Sequence, residues 1–267
     1  MHVDILVIMA HPDDAELSCS GTILSCIDNA LSVGMLDLTK GELGTRGNQV
    51  TRQKEAKNSA KLLKVKFRDN LNLKDGFFQI NEDSLNALII KIRQYTPKII
   101  ITNSRMDRHP DHENASKFVK KGTFLSGLIK IKSKLNNANQ NPWRPNIILY
   151  SIQNNFVDPD FVLDVSDYFQ TKIKSIECFR SQFYDSESKE PESFISSKGF
   201  MAFVNARSID LGHSIGVAHG EGFTCDSKLK IDKLKKRIKS NKFVFFNFFL
   251  TFFLILLSET HACILPI

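Results

Sequence analysis

Cysteine is sparse and badly placed for cross-linking. Cys19, Cys26, Cys178, Cys225 and Cys263 are five in number, scattered, and form no Cys-x-x-Cys pair. That pattern excludes a disulfide framework and a thiolate zinc site as the organising element, and Cys19 and Cys26 fit burial on one helix. No signal-peptide pattern precedes the first apolar segment at Val3, so a reducing, cytoplasmic setting is expected. Internal repeats are absent. No nucleic-acid recognition module accompanies the basic residues. The net charge of +7 is moderate and gathers largely between Lys228 and Lys242, so these lysines read as a solvated surface rather than a nucleic-acid site. A bilayer-spanning helix needs about 20 apolar residues, and the apolar run Phe243 to Leu257 is shorter than that.

What is present describes a globular α/β chain. With 267 residues, 42% hydrophobic and 24% charged, it can fold as one large domain or one domain with an appendage. Strands are expected at Val3–Ile8, Val33–Leu38, Phe67–Leu73, Ile99–Thr102, Asn146–Ile152 and Phe161–Val165. Helices are expected at Asp14–Ala30, Thr51–Leu63, Asn81–Tyr95, Asp111–Leu128 and Ser166–Phe183, with a polar loop at Asn136–Pro145. The Asn81–Tyr95 segment carries Leu85, Leu88, Ile89 and Ile92 at helical spacing. Strands alternating with helices imply a mostly parallel sheet covered on both faces. The expected organisation is a domain over 1–224, a basic linker over 225–242 and a hydrophobic C-terminal tail over 243–267. Three readings of the tail stand open: a buried core helix, a membrane anchor with positive flanks, or a non-native extension.

Two histidine–aspartate clusters carry the chemistry. Met9-Ala10-His11-Pro12-Asp13-Asp14 follows the first strand, and Arg108-His109-Pro110-Asp111-His112 follows the fourth. Ligands of open α/β sheets collect beyond the carboxyl ends of their strands. Catalytic zinc takes three protein ligands from imidazole and carboxylate and keeps a position open for water; His11, Asp14 and His112 supply such a set. Asp13 is the candidate general base. His109 is the candidate oxyanion donor and acid, with Asp111 expected to raise its pKa. The plainer alternatives are a surface turn at each His-Pro-Asp, and Asp13 or Asp14 as a mere helix cap. The glycine-rich Gly41–Gly47 loop can bring Arg46 to the same crevice, where Arg46, Arg52 and Arg108 could grip a carboxylate. Arg52 could instead pair with Glu55 on its own helix. Tyr184 is either a mobile substrate contact or a surface aromatic.

These residues also carry a family resemblance. Ala10-His11-Pro12-Asp13-Asp14, the loop Gly41-Glu42-Leu43-Gly44-Thr45-Arg46-Gly47, Arg52-Gln53-Lys54-Glu55-Ala56 and Arg108–His112 resemble the LmbE-like (PIG-L) zinc deacetylases, and within them the bacillithiol-biosynthesis subgroup. Asp75-Gly76-Phe77-Phe78, Trp143-Arg144-Pro145, Pro159-Asp160-Phe161, Ser181–Tyr184 and Glu221-Gly222-Phe223 add to it, so the resemblance covers residues 1 to about 224. It implies a Rossmann-like fold and hydrolysis of the N-acetyl group of a GlcNAc conjugate, here N-acetylglucosaminyl malate. It also implies zinc on His11, Asp14 and His112, Asp13 as base, His109 at the oxyanion, and a homo-oligomer. Two features depart from the family pattern: Ser18-Cys19-Ser20-Gly21-Thr22 replaces a glycine-rich run, and the tail has no counterpart. Alternative functions are a mycothiol-conjugate-type amidase or other small-amide hydrolase, and a membrane-tethered sugar-binding protein with a non-catalytic metal. A binder would have no need of a free carboxylate at Asp13.

Overall fold

The uninterrupted apolar run Ile5–Met9 forms β1, buried on both faces, as central parallel strands are. Its side chains divide by the two-residue period of a strand. Leu6 and Ile8 pack with Leu88 and Ile92 of α3 (Glu82–Tyr95) and with Phe118 and Val119 of α4 (Pro110–Ser126). Ile5, Val7 and Met9 pack on the other face with Ala15, Cys19 and Ile23 of α1 (Asp14–Asp28). A third cluster joins Leu17 and Ala56 to Ile176, Phe179 and Phe200. The computed structural model describes residues 1–228.

The remaining strands are β2 (Val33–Thr39), β3 (Arg68–Leu73), β4 (Ile99–Asn103), the short pair β5 (Lys134–Leu135) and β6 (Ala138–Asn139), then β7 (Ile147–Ser151), β8 (Phe161–Asp164) and β9 (Gly220–Cys225). The other helices are α2 (Gln49–Leu62), α5 (Phe169–Glu177) and α6 (Lys198–His213). The main sheet has the order β3-β2-β1-β4-β7-β9-β8. Its first five strands run parallel, while β9 is antiparallel to both β7 and β8. Chain order reverses direction between β1 and β4, which creates the switch-point crevice where such sheets bind ligands.

The α/β architecture and the mostly parallel sheet agree with the sequence, and several details correct it. Helix α2 begins at Gln49, not Thr51, because the Asn48 side chain accepts from the N–H groups of Val50 and Thr51, the bonding that defines an N-cap. The expected Asn136–Pro145 loop contributes to a hairpin, since Asn136 and Asn137 take φ 49° and 65°, as a two-residue primed turn requires. The helix expected over Ser166–Phe183 is a 3₁₀ turn (Ser166–Tyr168) followed by α5, which ends at Glu177. Ser181 is drawn off instead by Glu55, which accepts its N–H and hydroxyl. Helix α6 and strand β9 were not anticipated.

The compact unit of the chain runs from Met1 to Asp226. β9 continues to Cys225, and Asp226 accepts from the Tyr150 hydroxyl at 2.8 Å and from Arg105 at 2.9 Å. The tail 243–267 and most of the basic linker lie outside the described residues. Among those described, no helix is long and apolar enough to cross a membrane.

Candidate active site

The loops after the five parallel strands meet at the β1–β4 switch point. The first is a tight turn in which Asp14 Oδ2 accepts the His11 N–H at 2.9 Å. That bond folds the Asp14 carboxylate back toward the His11 ring, whose Nδ1 lies 3.4 Å from the same oxygen. Asp14 Oδ1 lies 3.0 Å from His112 Nε2. One carboxylate therefore stands between two buried imidazoles, steadied by Asn103 Nδ2 at the end of β4 (3.1 Å) and Gln153 Nε2 (3.0 Å). The nitrogens of His11, His109 and His112 lie within 4.8 Å of one another, and His11, Asp75 and Asp111 form a second such group. The three residues expected as ligands are thus brought together, with His109 beside them.

Each of the two buried histidines also faces a carboxylate on its far side. His11 Nε2 lies 3.0 Å from Asp75 Oδ1, and His112 Nδ1 lies 3.4 Å from Asp107 Oδ2. Carboxylates placed behind imidazoles in this way fix ring orientation in metal sites. Burial works against charge on both rings, but the carboxylates prevail: hydrogen bonding to Asp111, Asp14 and Asp75 carries His11 well above its ordinary pKa, and Asp14 and Asp107 push His112 up to about 9. Asp14 is driven up by burial yet held well below the usual carboxylate range by His112 and His11. The site therefore holds excess negative charge that protons on imidazole offset, and a divalent cation would replace those protons. Two imidazoles and a carboxylate form a donor set suited to zinc, so the residues fit that ion.

Asp13 sits beside this group and caps nothing: its side chain makes no bond to the helix it precedes. Its backbone has φ 129°, a region that costs a non-glycine residue about 1–3 kcal/mol. Arg52 NH2 donates to Asp13 Oδ2 at 2.6 Å, and burial raises the Asp13 pKa to about 6 against that pull. This corrects the expected pairing of Arg52 with Glu55, while Arg52 remains part of the cavity lining. Its NH1 and Nε reach the carbonyls of Gly41 and Pro12, so all three guanidinium nitrogens are engaged and Glu55 is not its partner.

The expected raising of the His109 pKa by Asp111 fails, and of the two readings of Tyr184 the surface aromatic fits. The His109 Nδ1 accepts the Asp111 N–H at 3.2 Å, which leaves Nε2 as the donor of the neutral ring. Its pKa is lowered, by burial first and then by His11 and His112. The Asp111 charge pulls it upward but does not prevail, its carboxylate being turned to the Gly76 N–H (2.8 Å) and His11 Nε2 (3.4 Å). Tyr184 lies outside the cavity, exposed in a separate groove with Ile173 and Met201, its ring under the Lys198 ammonium.

The cavity over the site has a volume of about 430 Å³, within the range of small-molecule pockets. Its outer wall includes Arg46, Arg108, Phe194 and Gln182. Arg46 is buried, donates NH1 to the Phe183 carbonyl, and keeps an Nε with no hydrogen-bond partner, 3.7 Å from Glu190 Oε2. The Arg108 guanidinium lies 4.2 Å from the centre of the Phe194 ring. Sequence reading missed Asp75, Asp107, Asn103 and Gln153. Asp75 and Asp107 had signals, lying in the Asp-Gly-Phe-Phe run and directly before Arg108-His109.

Residues 6–122 match the family model described as GlcNAc-PI de-N-acetylase, PIG-L. Over those residues the chain is similar to the PIG-L family. In structure it is similar to a conserved protein of Thermus thermophilus at 29% identity and a TM-score of 0.76, covering 86% of this chain and 98% of that one. It is also similar to the N,N'-diacetylchitobiose deacetylase of Pyrococcus horikoshii, at 25% identity, a TM-score of 0.71, and 83% and 82% coverage. In sequence it is 25% identical over 202 residues to a Bacillus cereus protein described as "Probable N-acetyl-alpha-D-glucosaminyl L-malate deacetylase 2", covering 68% of this chain and 84% of that protein. The PIG-L match spans both histidine–aspartate clusters, Arg52 and Asp75.

Proposed function

We propose that this chain is a zinc-dependent deacetylase that hydrolyses the N-acetyl group of a GlcNAc conjugate carrying an anionic substituent, with N-acetylglucosaminyl malate as the leading substrate. The observation that carries this reading is the Asp13–Asp14 pair: Asp14 lies between His11 and His112, while Asp13 is turned away to Arg52. A pure binding site would not hold a strained, buried carboxylate beside its ligands. The deacetylases among the chain's relatives support the reaction class.

His11, Asp14 and His112 would hold the ion, which supplies Lewis acidity when bound. Asp13 takes a proton from the attacking water while Arg52 fixes its other oxygen. His109 donates from Nε2 to the acyl oxygen as negative charge develops there. A carbon–oxygen bond forms to the water oxygen, the carbon–nitrogen bond breaks, and Asp13 returns its proton to the departing amine, giving acetate and a free aminosugar. Arg46 and Arg108, which both line the cavity, hold the anionic substituent.

The test is acetate release from N-acetylglucosaminyl malate and from GlcNAc, each with and without a chelator. Expected are a chelator-sensitive activity and a preference for the malate conjugate of about tenfold or more in kcat/KM, since charge-assisted bonds contribute about 1.5–3 kcal/mol. Equal rates on both sugars would remove the anion site from the proposal. Turnover that survives complete metal removal would overturn the reaction itself.

A further inference from the structure

Helix α1, which begins at Asp14, is broken at Cys19, where φ is −147° and ψ is 16°. A helix interrupted there loses its i to i−4 bonding, and the groups on either side need other partners. Both sets find them in one buried ion pair. Glu221 Oε1 accepts the Gly21 N–H at 3.0 Å, and Oε2 accepts the Thr22 N–H at 2.7 Å and the Thr22 hydroxyl at 2.6 Å. On the other side of the break, Lys172 Nζ donates to the Leu17 carbonyl at 2.8 Å and to Glu221 Oε1 at 2.6 Å. Both side chains are 3% exposed. Gly21 permits the approach, since a Cβ there would meet Val165 Cβ at 2.7 Å and Glu221 Oε1 at 3.1 Å.

Glu221 thus caps the second half of α1 and Lys172 ties down the end of the first. That first half is the turn of helix bearing Asp14, directly after Asp13 with its φ of 129°. A conformation of that kind persists only where its surroundings over-determine it. Ser18 adds to the hold, donating to the Asp14 carbonyl at 2.7 Å and lying 3.0 Å from the Ser151 hydroxyl. Glu221 and Lys172 do not line the active-site cavity.

We infer that Lys172 and Glu221 are positioning residues: from β9 and α5 they set the break in α1 and so place the Asp13–Asp14 pair for metal binding and proton transfer. The inference rests on the deacetylase reading for its kinetic consequence, but not for its effect on metal affinity or on α1 itself. The test uses Glu221→Gln and the milder Thr22→Val in the full chain, with Tyr95→Phe as a control. Tyr95 loses only a hydroxyl bonded to Asp69 on the opposite side of the sheet. Three measurements are made on each: amide exchange at Gly21 and Thr22, zinc affinity of the metal-stripped protein, and kcat and KM for acetate release.

Expected for Glu221→Gln is faster exchange at both amides, zinc affinity and kcat lower by about tenfold to a hundredfold, as small misplacements of reacting groups produce, and KM within about threefold. Thr22→Val should show the same pattern at about threefold, and it carries the test if Glu221→Gln does not fold. Tyr95→Phe should lower Tm without moving kcat or zinc affinity. The inference is overturned if Glu221→Gln or, failing that, Thr22→Val loses Tm and amide protection while kcat and zinc affinity stay at the unaltered level. If the unaltered protein binds zinc but releases no acetate, the deacetylase reading has failed, and zinc affinity and amide exchange still decide this one.

Discussion

His11-Pro12-Asp13-Asp14 follows β1 and His109-Pro110-Asp111-His112 follows β4, and those two strands pair side by side in the sheet. The same three residue types, His-Pro-Asp, enter a helix at the same edge in both places. The helix starts, however, at different points. α4 begins at Pro110, with the His109 ring itself accepting the Asp111 N–H as its cap, whereas α1 begins only at Asp14, after Asp13 has taken φ 129°. This offset moves every side chain. In the first run the histidine is buried beside Asp14 and Asp13 is left facing Arg52; in the second the histidine stays half-buried at the cavity and the fourth residue, His112, goes inward. Identical tripeptides thus yield different surroundings because of where the backbone becomes helical, and the strained turn belongs to the run that carries Asp13, the base proposed above.

The comparison is broken most severely at the two inward positions. Asp14→Asn and His112→Ala each remove one of the three proposed ligands, and a zinc site of this type is rarely stable on two. Purified variants should contain far less than the metal content of the unaltered chain and release no measurable acetate. Full zinc occupancy in His112→Ala, read by elemental analysis, would transfer the metal to the His11, Asp75 and Asp111 group.

The second prediction separates the two aspartates of the His-Pro-Asp runs. Asp13→Asn keeps the shape of the side chain but cannot take a proton, so kcat should fall by about 10²–10⁴ with zinc retained. Asp111→Asn should cost far less, since its carboxylate serves Gly76 and His11 rather than the reacting atoms. Equal losses in the two variants would erase the distinction between the runs.

The third concerns the two histidines. His109→Ala should keep its metal and lose about 10²–10³ in kcat, the usual loss for one oxyanion donor, whereas His11→Ala should lose the metal as well. Loss of zinc from His109→Ala would make His109 a ligand, as its distance to the other two rings allows.

Much of this was legible from the residues. His11, Asp14 and His112 stood out because two apolar strands each end in a short polar turn, and the three-residue spacing of His11 and Asp14 suits a single ion. The parallel strands were legible because a run such as Ile5–Met9, buried on both faces, is continuously apolar. β9 was not, since Gly220-Glu221-Gly222 has the composition of a loop and becomes a strand only between β7 and β8. Arg52 was misassigned because its partner Asp13 lies 39 residues away, beyond any local pattern, while Glu55 lies on the same helix three positions on. The pKa direction of His109 failed for a related reason: proximity in sequence to Asp111 did not decide where that carboxylate points.

The smallest expected effect comes from the prolines, and it sharpens the same contrast. Pro110 is exposed at the first position of α4, where its fixed φ suits the helix and its missing N–H would have no helical partner. Pro110→Ala therefore acts chiefly through the unfolded chain and should lower stability by about 0.4–1 kcal/mol. Pro12 is buried and precedes the helix, and its carbonyl accepts from Arg52 Nε at 3.3 Å. Pro12→Ala loses the same chain restriction and in addition places an N–H in a buried turn, which costs about 1–3 kcal/mol if unmet. It also loosens the residue before Asp13, so kcat should fall in Pro12→Ala and stay unchanged in Pro110→Ala. Urea unfolding of both variants beside their kcat values checks this. Equal changes in stability and in turnover would mean that the strain at Asp13 is held elsewhere than in the His11-Pro12 turn.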